Sequence, residues 1–199
     1  MTDIRAVYDG LASEYDSAHS GYLEGAENQL IRQKILALGL EAPVLDIGCG
    51  TGLCLNVCEA ALDGYTGVDF SREMLRQAKR RWPGQRFVQA NAKHGLPFTP
   101  HARWASGVAL FSANYIGLDV LLGQMQRWVS MNGAVIIVGY GRQHSERPNY
   151  LGANKLRRTR KWHQHDVQQT VRAWWGDERA NVRELYPESR YLVITRSGG

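Results

Sequence analysis

Residues 43–52 read Pro43-Val44-Leu45-Asp46-Ile47-Gly48-Cys49-Gly50-Thr51-Gly52, and the fold is decided there. Val44, Leu45 and Ile47 are apolar β-formers of the kind that a buried parallel strand uses. Three glycines at alternate positions then break the strand, and a helix-like segment follows from Leu53. Glycine lets the backbone turn with positive φ and lets a ligand approach with no Cβ in the way. Asp46 puts a carboxylate at the mouth of that turn. Seventeen residues past Gly52, Asp69 closes a second apolar stretch, Tyr65-Thr66-Gly67-Val68-Asp69. An acid ending the second strand is the usual partner of ribose hydroxyls in a doubly wound sheet. The pattern predicts a nucleotide-like ligand, with a ligand-free strand-turn-helix as the plain alternative.

The dinucleotide fingerprint is G-x-G-x-x-G, whereas these glycines are spaced G-x-G-x-G and Leu53 stands where the late glycine would be. The arrangement Asp46-x-Gly48-x-Gly50-x-Gly52 with Asp69 downstream resembles the S-adenosylmethionine (SAM) site of class I methyltransferases, in their small-molecule branch. The resemblance implies SAM as cofactor and S-adenosylhomocysteine (SAH) as product. It implies that Asp46 helps to hold the α-ammonium group, directly or through water, and that Asp69 holds the ribose. It further implies cofactor contacts from Gly48, Gly50, Gly52, Phe70, Met74, Ala92, Phe111 and Ser112.

The N-terminal part, Tyr8-Asp9-Gly10-Leu11-Ala12-Ser13-Glu14-Tyr15-Asp16, places Tyr8, Leu11, Ala12 and Tyr15 at helical spacing. It resembles the lid of the same branch, in which a tyrosine faces the methionyl end of the cofactor. The resemblance gives Tyr15 that role, with a core position in an amphipathic helix capping the sheet as the alternative, and Tyr8 reads as packing. Residues 1–31 are then the lid, and Leu30–Leu40 is an amphipathic helix ending near Gly39. After Asp69, Ser71 is placed to cap a helix that must stop at Pro83-Gly84. Arg86–Ala90 alternates like a third strand. Asn91-Ala92-Lys93-His94-Gly95-Leu96-Pro97-Phe98 resembles the family's adenine loop, with Asn91 where an acid is common. An amide carbonyl can still accept from the adenine amino group.

Gly107–Phe111 reads as the fourth strand, with Ser112, Asn114 and Tyr115 beyond its carboxyl end, where such sheets bind ligands. Asp119–Ser130 reads as a helix, Met131-Asn132-Gly133 as a turn and Ala134–Val138 as the fifth strand. Residues 141–165 read as a basic insertion after that strand, and Val167–Trp175 as a short helix. Ala180–Leu185 and Arg190–Thr195 form a strand pair joined across Tyr186-Pro187-Glu188. The expected architecture is one α/β domain spanning 1–199. Its sheet is Rossmann-like, doubly wound, mostly parallel and seven-stranded, with an antiparallel C-terminal edge hairpin.

The chain has 199 residues, 44% hydrophobic and 22% charged, which suits a single globular domain. No apolar run approaches a membrane span, and the start Met1-Thr2-Asp3-Ile4-Arg5 has no apolar signal region. This points to the cytoplasm. Cys49, Cys54 and Cys58 are an odd number in a short window, with no neighbour to complete a zinc site, so they read as small buried thiols and no metal is expected. The net charge of +5 is concentrated at Lys155–Lys161. That run reads first as a solvated face; an anionic small substrate, RNA and a membrane surface are the readings beside it. Trp174-Trp175 is open to reading as a substrate cap or a dimer contact.

Transfer of a methyl group from a sulfonium is an in-line displacement, in which alignment of the reactants is the largest lever. A general base adds to the rate where the acceptor is a hydroxyl or a protonated nitrogen. The candidates are His144, just past the fifth strand, His19 on the lid and Tyr115, with His94, Asp119 and Tyr140 behind them. The sequence lacks the Asn/Asp-Pro-Pro-Tyr/Phe clamp of amino-methylating nucleic-acid enzymes and the Pro-Cys pair of cytosine-C5 enzymes. A small-molecule acceptor, methylated on O or N, is therefore expected ahead of RNA or protein, and a SAM-binding protein without methyl transfer is the remaining alternative.

Overall fold

A computed structural model describes residues 4–15, 26–58, 63–141, 162–185 and 191–197. His19, His144, the basic run 155–161 and the turn at 186–188 lie outside the described residues. In chain order the elements begin with helix α1 (Ile4–Leu11), helix α2 (Ala26–Leu38), strand β1 (Val44–Ile47), helix α3 (Leu53–Cys58) and strand β2 (Thr66–Asp69). Helix α4 (Arg72–Arg81), strand β3 (Arg86–Gln89), strand β4 (Trp104–Leu110), the short helix α5 (Ala113–Ile116) and helix α6 (Leu118–Trp128) follow. The chain continues through β5 (Val129–Tyr140), α7 (Gln164–Trp175), β6 (Ala180–Glu184) and β7 (Tyr191–Arg196).

The seven strands form one sheet in the order β3-β2-β1-β4-β5-β7-β6. The first five are parallel, and β7 joins them antiparallel between β5 and β6. Alternation along the strands sends side chains to two buried faces, as period-two geometry requires. Leu45, Ile47, Val135, Ile137, Leu192 and Ile194 pack with Leu121, Leu122, Met125 and Trp128 of α6 and Val167 and Val171 of α7. Val44, Val108, Ile136, Val138 and Val193 pack on the other face, against Ile31 and Ile35 of α2, Leu55 of α3 and Leu75 of α4. Ile31 and Ile35 are in the core, and α2 begins at Ala26, so the body of the domain starts before the end of the expected 1–31 lid.

Two further boundaries differ from the sequence reading. Trp162, expected in the insertion 141–165, is buried and bridges Gly141, and α7 begins at Gln164. Gly139 leaves room for its ring: an added Cβ would lie 2.2 Å from Trp162 Cζ3. The expected turn at Met131–Gly133 lies inside β5. Trp104 pairs with Val129 and Ser106 with Ala134, so the chain bulges between the two pairs. Arg196 holds that bulge. Its Nη2 donates to Ser130 O at 2.8 Å and Gly133 O at 3.0 Å, and its Nε donates to Gly133 O at 3.1 Å. The guanidinium also lies over the Trp175 ring, 5.1 Å from its centroid.

Replacing Arg196 with Ala strands buried carbonyls and removes the stacked cation. The expected loss is about 2–4 kcal/mol of stability, read by urea unfolding. A loss under about 0.5 kcal/mol would show that the bulge holds itself.

Candidate functional site

In the strand order, β1 lies between β2 and β4, so the chain reverses its direction of winding there. Ligands in open α/β sheets bind at such a point, outside the carboxyl ends of the strands. A cavity occupies this position, with about 820 Å³ of atom-free space counting its open mouth. Its floor is the glycine loop after β1, and its sides come from the ends of β2, β4 and β5 and from residues 90–92 after β3. Tyr8 and Tyr15 line it from the N-terminal segment.

The loop continues the β1–β2 ladder, since Gly48 N and Cys49 N both donate to Val68 O, at 2.7 and 3.0 Å. Gly48 has φ of +78°, and an added Cβ would lie 2.3 Å from Ser112 Cβ. Ser112 is itself pinned, its hydroxyl donating to Ile47 O at 2.7 Å. Gly50, with φ of +54°, has no atom within 4 Å of an added Cβ and lines the cavity. Gly48 is thus needed for packing and Gly50 for open space.

Asp69 is buried and lines the cavity at the end of β2. Its Oδ2 accepts from Gly50 N at 2.9 Å and its Oδ1 from Ser71 N at 2.8 Å. Burial pushes this carboxyl up to about 6, against the backbone N–H donors that lower it. Phe70, Met74, Ala92, Phe111, Ser112 and Tyr115 line the cavity as well. Asn91 does too, but its carbonyl accepts from Lys93 N at 3.0 Å and caps the short turn Ala92–His94.

Two of the expected contact residues stand elsewhere. Asp46 does not line the cavity. Strand alternation turns it toward the α2–α3 face, where its Oδ2 accepts from the Tyr65 hydroxyl at 2.7 Å. Its Oδ1 has no hydrogen-bond partner among the described residues, and burial raises the carboxyl to about 7. Gly52 faces Trp82, whose Cδ1 would lie 3.0 Å from an added Cβ. Asn114 is also turned away, bonded twice to the backbone of Tyr140: Nδ2 donates to its O at 3.1 Å and Oδ1 accepts from its N at 2.7 Å. His94 and Asp119 lie off the cavity, and Asp119 accepts from Trp174 Nε1 at 3.3 Å.

Tyr8 was expected only to pack, yet it lines the cavity. Its ring centroid is 5.7 Å from Tyr115, 5.8 Å from Phe70 and 6.4 Å from Tyr15. Burial and the neighbouring phenols push its own phenol far above the ordinary range, so it stays protonated. Tyr140 lines the far side, stacked on Phe111 at 5.4 Å. Phe111 holds φ of +60°, a conformation uncommon for a bulky residue. Among the described residues Asp69 is the charged side chain in the lining, with no Lys, Arg or His beside it.

Two expectations can be measured. Gly48→Ala drives a methyl into Ser112 and should cost about 3–5 kcal/mol or prevent folding. Gly50→Ala should remain folded, losing about 1–2 kcal/mol to left-handed backbone strain; equal losses for the two variants would overturn this division. Asp46 tests linkage. A carboxyl raised from 3.8 to about 7 by folding gives stability that is full below the lower value and lost as pH rises through the upper one. Between pH 4 and 7 the wild type should therefore lose more stability than Asp46→Asn. Asp69 contributes with the same sign in both proteins, so identical slopes would remove the shift at Asp46.

Residues 44–133 match the family described as methyltransferase domain. The uncharacterized protein MJ1252 of Methanocaldococcus jannaschii is 33% identical over 135 residues, 67% of this chain and 50% of its own length. Trans-aconitate 2-methyltransferase of Rhodopseudomonas palustris strain BisB18 is 35% identical over 92 residues, 43% of this chain and 35% of its own. The chain thus spans half or less of the length of these curated relatives. The structure of the DhpI–SAH complex superposes with a TM-score of 0.70 at 19% identity, covering 98% of this chain and 95% of that one. Fold, glycine loop and sequence matches agree: residues 44–133 match a methyltransferase domain, and the chain has the fold of the SAH-bound structure.

Proposed function

We propose that this protein is a SAM-dependent methyltransferase that delivers a methyl group by in-line displacement to an O or N atom of a small molecule, releasing SAH. The observation that carries the reading is Asp69 at the wall of a cavity whose floor at Gly50 is open. Asp69 Oδ2 accepts from Gly50 N and Oδ1 from Ser71 N, and a carboxylate has about four acceptor positions, so it can also accept from ribose hydroxyls. Phe70, Met74 and Ala92 supply apolar surface for a purine. When bound, SAM supplies an electrophilic methyl on a sulfonium. Tyr8 and Tyr15 shield the reaction centre from water.

Tyr115 is the described member of the three base candidates, and it stands in the cavity wall beside Tyr8. It aligns an acceptor there through its hydroxyl. The similarity to a methyltransferase named for trans-aconitate supports a small-molecule acceptor.

Isothermal titration with SAM, SAH and NADH tests this directly. SAM and SAH should bind at micromolar strength and NADH should not, and SAH release should then identify acceptors. Asp69→Ala should weaken SAM binding by about 1.5–3 kcal/mol per hydroxyl lost. Silence with both sulfur ligands in a folded sample would overturn the proposal.

A further inference from the structure

Helix α1 forms part of the cavity roof, yet none of its residues from Ile4 to Leu11 is fully buried, Tyr8 being part-buried in the cavity. Hydrophobic burial alone does not decide where it docks. Asp9 supplies a polar contact that does. Its Oδ1 accepts from Ser71 Oγ at 2.6 Å and lies 3.3 Å from Glu73 N, which donates to it. Glu73 N is one of the first N–H groups of α4, which no intrahelical carbonyl can satisfy. A carboxylate is favoured there by the helix dipole as well. Asp9 thus caps a helix to which it does not belong.

Ser71 carries three bonds at once. Its hydroxyl accepts from Met74 N at 3.1 Å and donates to Asp9, while its N–H donates to Asp69 Oδ1. The other contact of Asp9, with Arg5 at 3.8 Å, is an exposed pair within one helix and contributes little. One residue before Asp9, Tyr8 projects into the cavity against Phe70 and Tyr115.

We propose that Asp9 is a positioning residue, which latches α1 to the start of α4 through Ser71 and so holds Tyr8 in the roof over the bound cofactor. Its role in binding rests on the SAM reading above; the latch itself does not. Because Asp9 acts through Tyr8, the two side chains are energetically one unit. Because the latch is made of accepted hydrogen bonds, an amide oxygen replaces it.

The test uses the full chain and its variants Asp9→Ala, Asp9→Asn, Tyr8→Ala and the Asp9→Ala/Tyr8→Ala double. Amide hydrogen exchange in residues 5–11, without ligand, should quicken about tenfold in Asp9→Ala and stay near wild type in Asp9→Asn, with the melting temperature unchanged. SAM titration should show about tenfold weaker binding in Asp9→Ala, close to wild-type binding in Asp9→Asn, and a double variant no weaker than Tyr8→Ala. Unchanged exchange in Asp9→Ala overturns the latch, even if the wild type binds no SAM and the cofactor reading fails with it. Additive losses in the double variant, or an Asn variant as weak as Ala, overturn the action through Tyr8.

Discussion

One buried carboxylate joins two loops that arrive from neighbouring strands. Asp69 stands at the end of β2 and accepts from Gly50 in the loop after β1 and from Ser71 at the start of α4. Burying a carboxylate is costly unless donors surround it, and here the donors are the backbone N–H groups of Gly50 and Ser71. The loop keeps its path, α4 starts where it does, and the carboxylate faces the cavity. Ser71 extends the connection to Asp9 and thus to α1. The floor and roof of the site are two ends of one hydrogen-bonded chain that runs through three segments of sequence.

Two acids had been read as a pair, and the structure separates them. Asp46 lies mid-strand, between Leu45 and Ile47, and period-two alternation sends it to the face opposite theirs. That face is packed with α2, α3 and Tyr65, so its carboxyl meets a phenol instead of a ligand. Asp69 is the last residue of its strand, where the chain lifts out of the sheet and side chains turn toward the carboxyl-end crevice. One register position thus decides whether an acid lines the cavity or is buried beside a helix. The unpartnered Oδ1 of Asp46 marks the cost of keeping the second kind.

The legible parts of this fold were the local ones. Strand β1 and its glycines, the Ser71 cap, and the closing strand pair all depend on neighbours within a few residues. The parts that escaped reading depend on partners far along the chain. Trp162 looked like part of a polar insertion because its socket is Gly139, more than twenty residues earlier. Met131–Gly133 reads as a turn between elements because the carbonyls of Ser130 and Gly133, at its two ends, are held by Arg196, more than sixty residues later. Tyr8 has the spacing of a core residue, and the fact that α1 lies over the sheet's carboxyl end is a tertiary one. Asn114 has the right place but the wrong direction, since the backbone of Tyr140 claims both ends of its amide. Spacing carries position well and orientation poorly.

Floor and roof of the described cavity differ in how they are held. The floor is fixed by ladder hydrogen bonds from Gly48 and Cys49, by the close approach of Ser112 and by Asp69. Any displacement there breaks several contacts together. The roof helix has no fully buried residue and is held by contacts that include Asp9 and the rings around Tyr8. Regions with few buried apolar contacts open at low free energy. The floor depends on the strands and their loops, and the roof on one carboxylate and one cluster of aromatic rings. A floor built this way fixes the backbone beside the cavity, as alignment of the reactants demands, while the roof over it rests on side-chain contacts of Asp9 and Tyr8.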